Sequence, residues 1–379
     1  MPNSARAYVE ISRGQIASNF EAVRAVVGPH VEVMGVVKAE AYGHGMLEVS
    51  RILISRGARW LAVSTVAEGK QLREAGMTRH TADILVMAGL LPDDYRPAIE
   101  WGLTPVAHSI ADIRRFDEAA IAVGARARFH LKLDTGMGRL GTRETPAAIV
   151  EVFKSLRMSA CDGLLTHFAS ASDFSTPQTD SQIARFDEIR TEMAAMGAAP
   201  RYLHLSSTNA IAYARPNAWR TIVRPGHAIY GYVSPAKGTA PANALAVSPA
   251  LAWKVKIVAV KDIAANTLVG YGGIACVKRQ TRIAILGAGY ADGIPHRLSN
   301  RGKVIAAGKF ASILGAVSMD LTTIDITESP NLEIGDDVTL LGREGRVSIN
   351  AQEMARWAGT ISYSVLCGIK PRVERFYIA

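Results

Sequence analysis

Cysteine is scarce in this chain. Cys161, Cys276 and Cys367 stand far apart, without the close pairs of a zinc knuckle or a redox dithiol. A disulfide framework and a cysteine metal site are therefore excluded, and reduced thiols are expected. Long apolar runs are missing too, since each is too short or too polar to span a bilayer. The opening "MPNSARAYVEIS" lacks the basic stretch and apolar core of a secretory signal, so a cytoplasmic protein with no membrane partner is expected. Charge of one sign never collects into an arm or tail. The balance of 43 basic and 34 acidic residues, net +9, is dispersed, which suits anionic small molecules and gives nucleic acid no support. Also absent are a "GxSxG" elbow, a "GxxxxGK[ST]" loop, a carboxylate pair and any metal-ligand spacing. No bound metal is expected.

What the chain has is a repeating unit. From residue 31 to about residue 232, apolar β-branched runs alternate with segments of helical period. The runs are "VEVMGVVK", "WLAVST", "ADILVMAG", "TPVAHS", "ARFHLKLDT", "CDGLLTHFA", "YLHLSS" and "TIVRPGHAIYG". Their starts recur roughly every 25 residues, room for one strand, one helix and two short loops. Eight such strands predict a TIM-type (β/α)8 barrel over residues 1–240, with a doubly wound sheet as the structural alternative. After "SPAKGTAPANA" the pattern turns to strands and Gly-containing turns, which predicts a mostly β domain over 241–379. Residues 6–12 form a short apolar run that could pair with that second domain.

In a βα barrel the reactive groups gather where strands end. Lys38 closes the first strand, Lys132 and Asp134 the fifth, ahead of "TGMGRLG" with Arg139. His167 closes the sixth, His204, Ser207 and Thr208 lie on and after the seventh, and Arg224 and Gly226 belong to the eighth. Singly, each has an ordinary structural explanation, a solvated strand end or a hydrogen-bonded core histidine. Together they put a lysine nucleophile among anion-binding groups. A lysine with its pKa pulled below about 10.4 can form a Schiff base with a carbonyl, and pyridoxal phosphate is the obvious aldehyde. The loops at Ser207, Thr208 and Gly226 could cradle its phosphate.

In this order "VVKAEAYGHG", "HLKLDTGMGRLG", "THFA", "RPGHAIYG", "GYADGIP", "SMD" and "YSVLCGI" resemble the alanine racemases, from residue 36 to residue 369. The resemblance implies a pyridoxal-phosphate enzyme that interconverts L- and D-alanine by a two-base mechanism and supplies D-alanine for peptidoglycan. It implies a homodimer with shared active sites. It gives Lys38 the Schiff base and one catalytic face, and Tyr290 of the partner chain the other. Tyr42, Thr208, Gly226, His227 and Tyr363 match phosphate-holding positions, with Ser207 beside them, and Arg224 faces the pyridine nitrogen. Arg139 and Met319, beside Asp320, match substrate-carboxylate positions. Lys132 matches the often carbamylated lysine that positions Arg139; His167 and His204 match residues linked to Tyr290 and Arg224. Glu40, Ser364 and "HLSSTNA" depart from the usual pattern. A broader or serine-preferring amino-acid racemase of the same family, a same-fold amino-acid decarboxylase and a non-catalytic pyridoxal-phosphate carrier are the alternatives.

Overall fold

The computed structural model describes residues 5–379, which divide into two compact units. The first takes residues 16–41 and 46–248. Its eight parallel strands are β2 (Glu32–Val36), β3 (Trp60–Val63), β4 (Asp83–Val86), β5 (Thr104–Ala107), β6 (Ala127–Lys132), β7 (Ser159–Leu165), β8 (Tyr202–His204) and β9 (Ile222–Val223). From β2 to β8 each pairs with the next in sequence, and β9 pairs with β2. The ring closes between β8 and β9, where the N–H groups of Thr221 and Arg224 donate to the carbonyls of Leu203 and Ser206 at 3.1 and 2.9 Å. The architecture is the (β/α)8 barrel, and a closed ring leaves no edge for the open-sheet alternative.

The barrel helices start and stop where the chain supplies capping groups. In α3 (Val66–Glu74) Thr65 and Glu68 form a capping box, and α5 (Ile110–Val123) runs from a Ser109 cap to left-handed Gly124. Thr145 caps α6 (Pro146–Ser155), and Pro146 occupies the first turn, where its missing N–H costs nothing. Each cap is worth about 1 kcal/mol. The remaining barrel helices are α1 (Arg13–Val27), α2 (Met46–Ser55), α4 (Tyr95–Glu100), α7 (Gln178–Ala195) and α8 (Thr208–Ala212). The barrel unit ends at Ser248 rather than at residue 240. Asn19 on α1 explains the extension, because its side chain binds Ser248 through both N–H and carbonyl at 3.0 and 2.9 Å.

The second unit takes Pro249–Ala379, the described residues up to Gln15, and Tyr42–Gly45. In its main sheet β1 (Ala7–Ser12) lies antiparallel to β10 (Leu251–Ile263) and parallel to β19 (Glu374–Ile378). Leu251, Trp253, Val255 and Ile257 alternate with less buried neighbours along β10, the period-two burial of a sheet with one covered face. Around it stand β13 (Thr281–Leu286), β14 (Lys303–Ala306), β15 (Lys309–Ser312), β16 (Thr322–Asp325), β17 (Asp337–Glu344) and β18 (Val347–Ile349). A small ribbon of β11 (Leu268–Val269) and β12 (Ala275–Cys276) is separate. Two helices follow, α9 (Ala351–Ala358) and α10 (Ser362–Cys367). Among the described residues no helix is long and apolar enough to cross a membrane.

Candidate active site

Lys38 follows β2 and begins an unusual turn. Ala39, Glu40, Ala41 and Tyr42 all have φ between 52 and 56°, four successive non-glycine residues in the left-handed region. Each such residue is strained by roughly 1–2 kcal/mol, so neighbouring groups must hold the turn. Glu68, at the start of α3, accepts from Ala39 N–H at 2.8 Å and from Ser64 and Thr65. Glu40 accepts the N–H of Met46, the first residue of α2, at 3.2 Å. This gives the departure at residue 40 a physical role, since its carboxylate sits on an otherwise unpaired helix-start donor.

At the end of β6 Lys132 is buried, 6% exposed. Burial first, then the charges of Arg139, Arg224 and Lys38, pull its pKa down to about 8 against the opposing pull of Asp134. A fraction of its amine is therefore neutral at physiological pH, the form that can take up carbon dioxide. Asp134 organises the loop that follows. Its Oδ1 accepts from Gly136, Met137 and Gly138 at 3.0–3.1 Å, and its Oδ2 pairs with Arg143 at 2.8 Å. Thr142 N–H returns to the Lys132 carbonyl, and Gly141 stands where a Cβ would lie 2.8 Å from Asp134 N. The loop thus presents Arg139 from a fixed base.

Arg224 is the hub of the barrel unit, 4% exposed. Its Nη1 donates to the His204 carbonyl at 2.6 Å and to His204 Nδ1 at 2.9 Å. Its Nη2 donates to the carbonyls of Thr166 and Leu205 at 2.7 and 3.2 Å and lies 3.4 Å from His167 Nδ1. Both Nη atoms are thereby used, and Nε–H is the donor left for a ligand. None of these partners is a carboxylate. Beside Arg224, Ser207 bridges to it in parallel register, and Thr208 Oγ1 accepts from Ala228 N–H at 3.1 Å. Gly226 and buried His227 begin the turn after β9, with His227 stacked on Tyr232 at 5.0 Å.

The second unit carries the other predicted residues in two groups. Tyr42 and Tyr363 pack with ring centroids 5.8 Å apart, and burial first, then Tyr363 and Cys367, push the Tyr42 hydroxyl far above its ordinary range, so it stays neutral. Tyr290 and Met319 are 43 and 54% exposed on adjacent loops. Those loops are joined by Tyr290 N–H to the Ser318 carbonyl at 3.0 Å and Ala291 N–H to the Met319 carbonyl at 2.9 Å. Arg372 clamps them, binding Asp292 through Nε and Nη2 at 2.5 and 2.9 Å and Asp320 through Nη2 at 2.7 Å. Asp292 in turn accepts Gly289 N–H at 2.8 Å. Arg372, Glu68 and Asp292 were not among the residues expected from sequence. Only Asp292, inside "GYADG", lay in a stretch singled out there.

Comparison with known proteins bears on this arrangement. The family described as "Alanine racemase, N-terminal domain" matches residues 11–235, and "Alanine racemase, C-terminal domain" matches residues 250–377. The alanine racemase of Halothermothrix orenii is 36% identical over 371 residues, 98% of this chain and 96% of that protein. The chain belongs to the alanine racemase family. Among solved alanine racemases, that of the D-cycloserine producer Streptomyces lavendulae superposes with a TM-score of 0.91 at 32% identity, covering 99% of this chain and 97% of that one. That of Bacillus anthracis, solved with bound L-Ala-P, gives 0.91 at 29% identity, covering 100 and 96%. Alanine racemases are pyridoxal-phosphate-dependent isomerases, and racemisation of alanine is this chain's activity.

The residues present suit that cofactor. Lys38, Lys132, Arg139 and Arg224 are close enough to act electrostatically on His167, which gives an anionic phosphate and a substrate carboxylate a cationic setting. Arg224 Nε–H suits an unprotonated ring nitrogen, and in the same unit the Thr208 hydroxyl suits a phosphate oxygen.

The same burial makes an expected pH dependence. His130, on β6, and His167 are each held at about 3, by burial first and then by Arg128 and Arg224, or by Arg224, Lys132, Arg139 and Lys38. An unfolded histidine titrates near about 6.5. Between those values the unfolded chain binds protons that the native chain refuses, so stability is full above about pH 6.5 and declines as pH falls toward about 3. Thermal midpoints in a buffer series should begin to drop above about pH 5, before carboxylates titrate. A flat midpoint from about pH 7 to 5 would show that these rings protonate in the native protein.

Proposed function

We propose that Lys38 and Tyr290 are the two opposed bases of the racemisation, and that the working unit is a homodimer in which Tyr290 and Met319 reach the barrel of the partner chain. Racemisation needs a proton removed on one face of the α-carbon and returned on the other. When bound, pyridoxal phosphate supplies the electron sink that makes this hydrogen acidic. The chain's own residues do the rest. Lys38 Nζ would hold the cofactor through its aldehyde and, once displaced by the substrate amine, move a proton on its face. Tyr290 Oη would do so on the opposite face. Arg139, with Lys132 behind it, and Met319, beside Asp320, would meet the substrate carboxylate. Ser207, Thr208, Gly226, His227, Tyr42 and Tyr363 would hold the phosphate, with His167 and His204 supporting Arg224.

Arg224 carries this reading: it is buried, its two Nη atoms are committed to carbonyls and imidazoles, and Nε–H is left for a ring nitrogen. The exposure of Tyr290 and Met319 in the single chain supports their use by a partner. The proposed role is supply of D-alanine for peptidoglycan in the cytoplasm. Incubation with a panel of single-enantiomer amino acids, read by chiral separation, tests the substrate. Alanine should be converted in both directions, and serine more slowly by about 10–200-fold, the worth of one small group in a close pocket. Equal rates across the panel would overturn an alanine-specific site.

A further inference from the structure

Behind Arg224 stands a second imidazole. His130 lies on β6, two residues before Lys132, and His130 Nδ1 is 2.8 Å from His204 Nε2. Both rings are fully buried. The barrel makes room for this contact in two ways. Between Phe129 and His130 the register of β6 on β7 shifts, so that Phe129 faces Cys161 while His130 faces Gly163 and Asp162 is the extra residue of a bulge. Gly163 is the other. A Cβ there would lie 2.6 Å from the His130 ring, so even alanine would displace it.

Donor and acceptor chemistry fixes both tautomers. A guanidinium has donors only, so Arg224 Nη1, at 2.9 Å, requires His204 Nδ1 to be the acceptor. A neutral His204 then carries its proton on Nε2 and donates it to His130 Nδ1. That leaves the His130 proton on Nε2, a buried atom with no hydrogen-bond partner among the described residues. The ring there lies against Trp60 and Tyr202, with centroids at 5.3 and 5.9 Å. A buried donor without an acceptor is costly, and its retention points to what the rest of the chain of bonds accomplishes.

We propose that His130 is a positioning residue that locks His204 in its Nε2–H tautomer, so that Arg224 is held at Nη1 and presents Nε–H to the cofactor ring. The proposal rests on the reading of Arg224 given above. It also explains why this strand bears a histidine beneath its lysine, on the same inward face.

Two measurements test it. In the holoenzyme labelled with nitrogen-15 histidine, two-bond correlations should show His204 and His130 both as Nε2–H tautomers. A Nδ1–H or doubly protonated His204 would overturn the proposal, whatever the cofactor's placement. In His130→Leu the acceptor is lost, whereas His130→Asn keeps an oxygen near the Nδ1 position. Leu should shift the absorbance maximum of the bound cofactor and lower kcat by about ten- to a hundredfold with little change in KM, and Asn should recover most of both. A Leu variant with unaltered absorbance and kcat would overturn the role of His130 while leaving Arg224's reading intact. Failure of that reading shows separately, as cofactor absorbance that is the same in Arg224→Lys as in the unmodified protein. Should His130→Leu not fold, the tautomers decide.

Discussion

Tyr290→Phe should retain bound cofactor and a native fold, yet lose racemisation by about a hundred- to ten-thousandfold, the usual worth of a positioned proton-transfer group. The fold should survive because the Tyr290 hydroxyl makes no hydrogen bond within the described chain. Its backbone, held by Ser318 and by the Arg372, Asp292 and Gly289 contacts, is untouched by the change. The expected loss is lopsided. Lys38 would still remove and return a proton on its own face, so in heavy water one enantiomer should go on exchanging its α-hydrogen for deuterium without inversion. Exchange followed by proton NMR, beside racemisation followed by chiral separation, gives the ratio. Equal losses in the two would make Tyr290 a structural residue and leave the second face without its base. Arg372 bears on the same ratio, because it fixes the loops of Tyr290 and Met319 without reaching any base.

Much of the barrel was legible, for a simple reason. Parallel strands buried on both faces read as apolar runs, and a charged residue closing such a run, as Lys38 and Lys132 do, is conspicuous. Strand length was less legible. The run 221–231 reads as one strand, but regular pairing stops at Ile222–Val223, because Pro225 offers no N–H and the chain turns at Gly226 and His227. His130 lies inside its strand and not at the end where reactive groups gather, although the alternation of "FHLKLD" puts it on the face of Lys132. Arg372 had no local signal at all, since its partner Asp292 is 80 residues away. The left-handed turn after Lys38 was hidden in a different way. "AEAY" contains neither Gly nor Asn, and the turn exists because Glu68 and Glu40 bind the N–H groups beside it. Glu40, which neither the chemistry nor the resemblance required, is thereby accounted for.

Arg224→Glu should raise transamination relative to racemisation. Burial lowers the Arg224 guanidinium to about 10, still well above neutrality, so it holds its proton and would offer a ring nitrogen a hydrogen bond only. Electron withdrawal by a bound ring would then be restrained, which would favour return of the proton to the substrate α-carbon by Lys38 or Tyr290, the two bases proposed. A glutamate in the same buried place, ringed by the carbonyls of His204, Thr166 and Leu205, would be favoured in its protonated form and could give that proton to the ring. Charge would then spread onto the cofactor, and a proton delivered there instead of to the α-carbon, followed by hydrolysis of the imine by water, would give pyruvate and the aminated cofactor in place of an alanine enantiomer. The variant should also be less stable, because each buried carbonyl left without a donor costs about 1–3 kcal/mol. Lost stability lowers both products together, so the ratio of pyruvate to inverted alanine, measured on soluble protein, isolates the electronic effect. An unchanged ratio would mean that Arg224 does not govern the ring, and with it would fall the reason for building two imidazoles behind a single guanidinium.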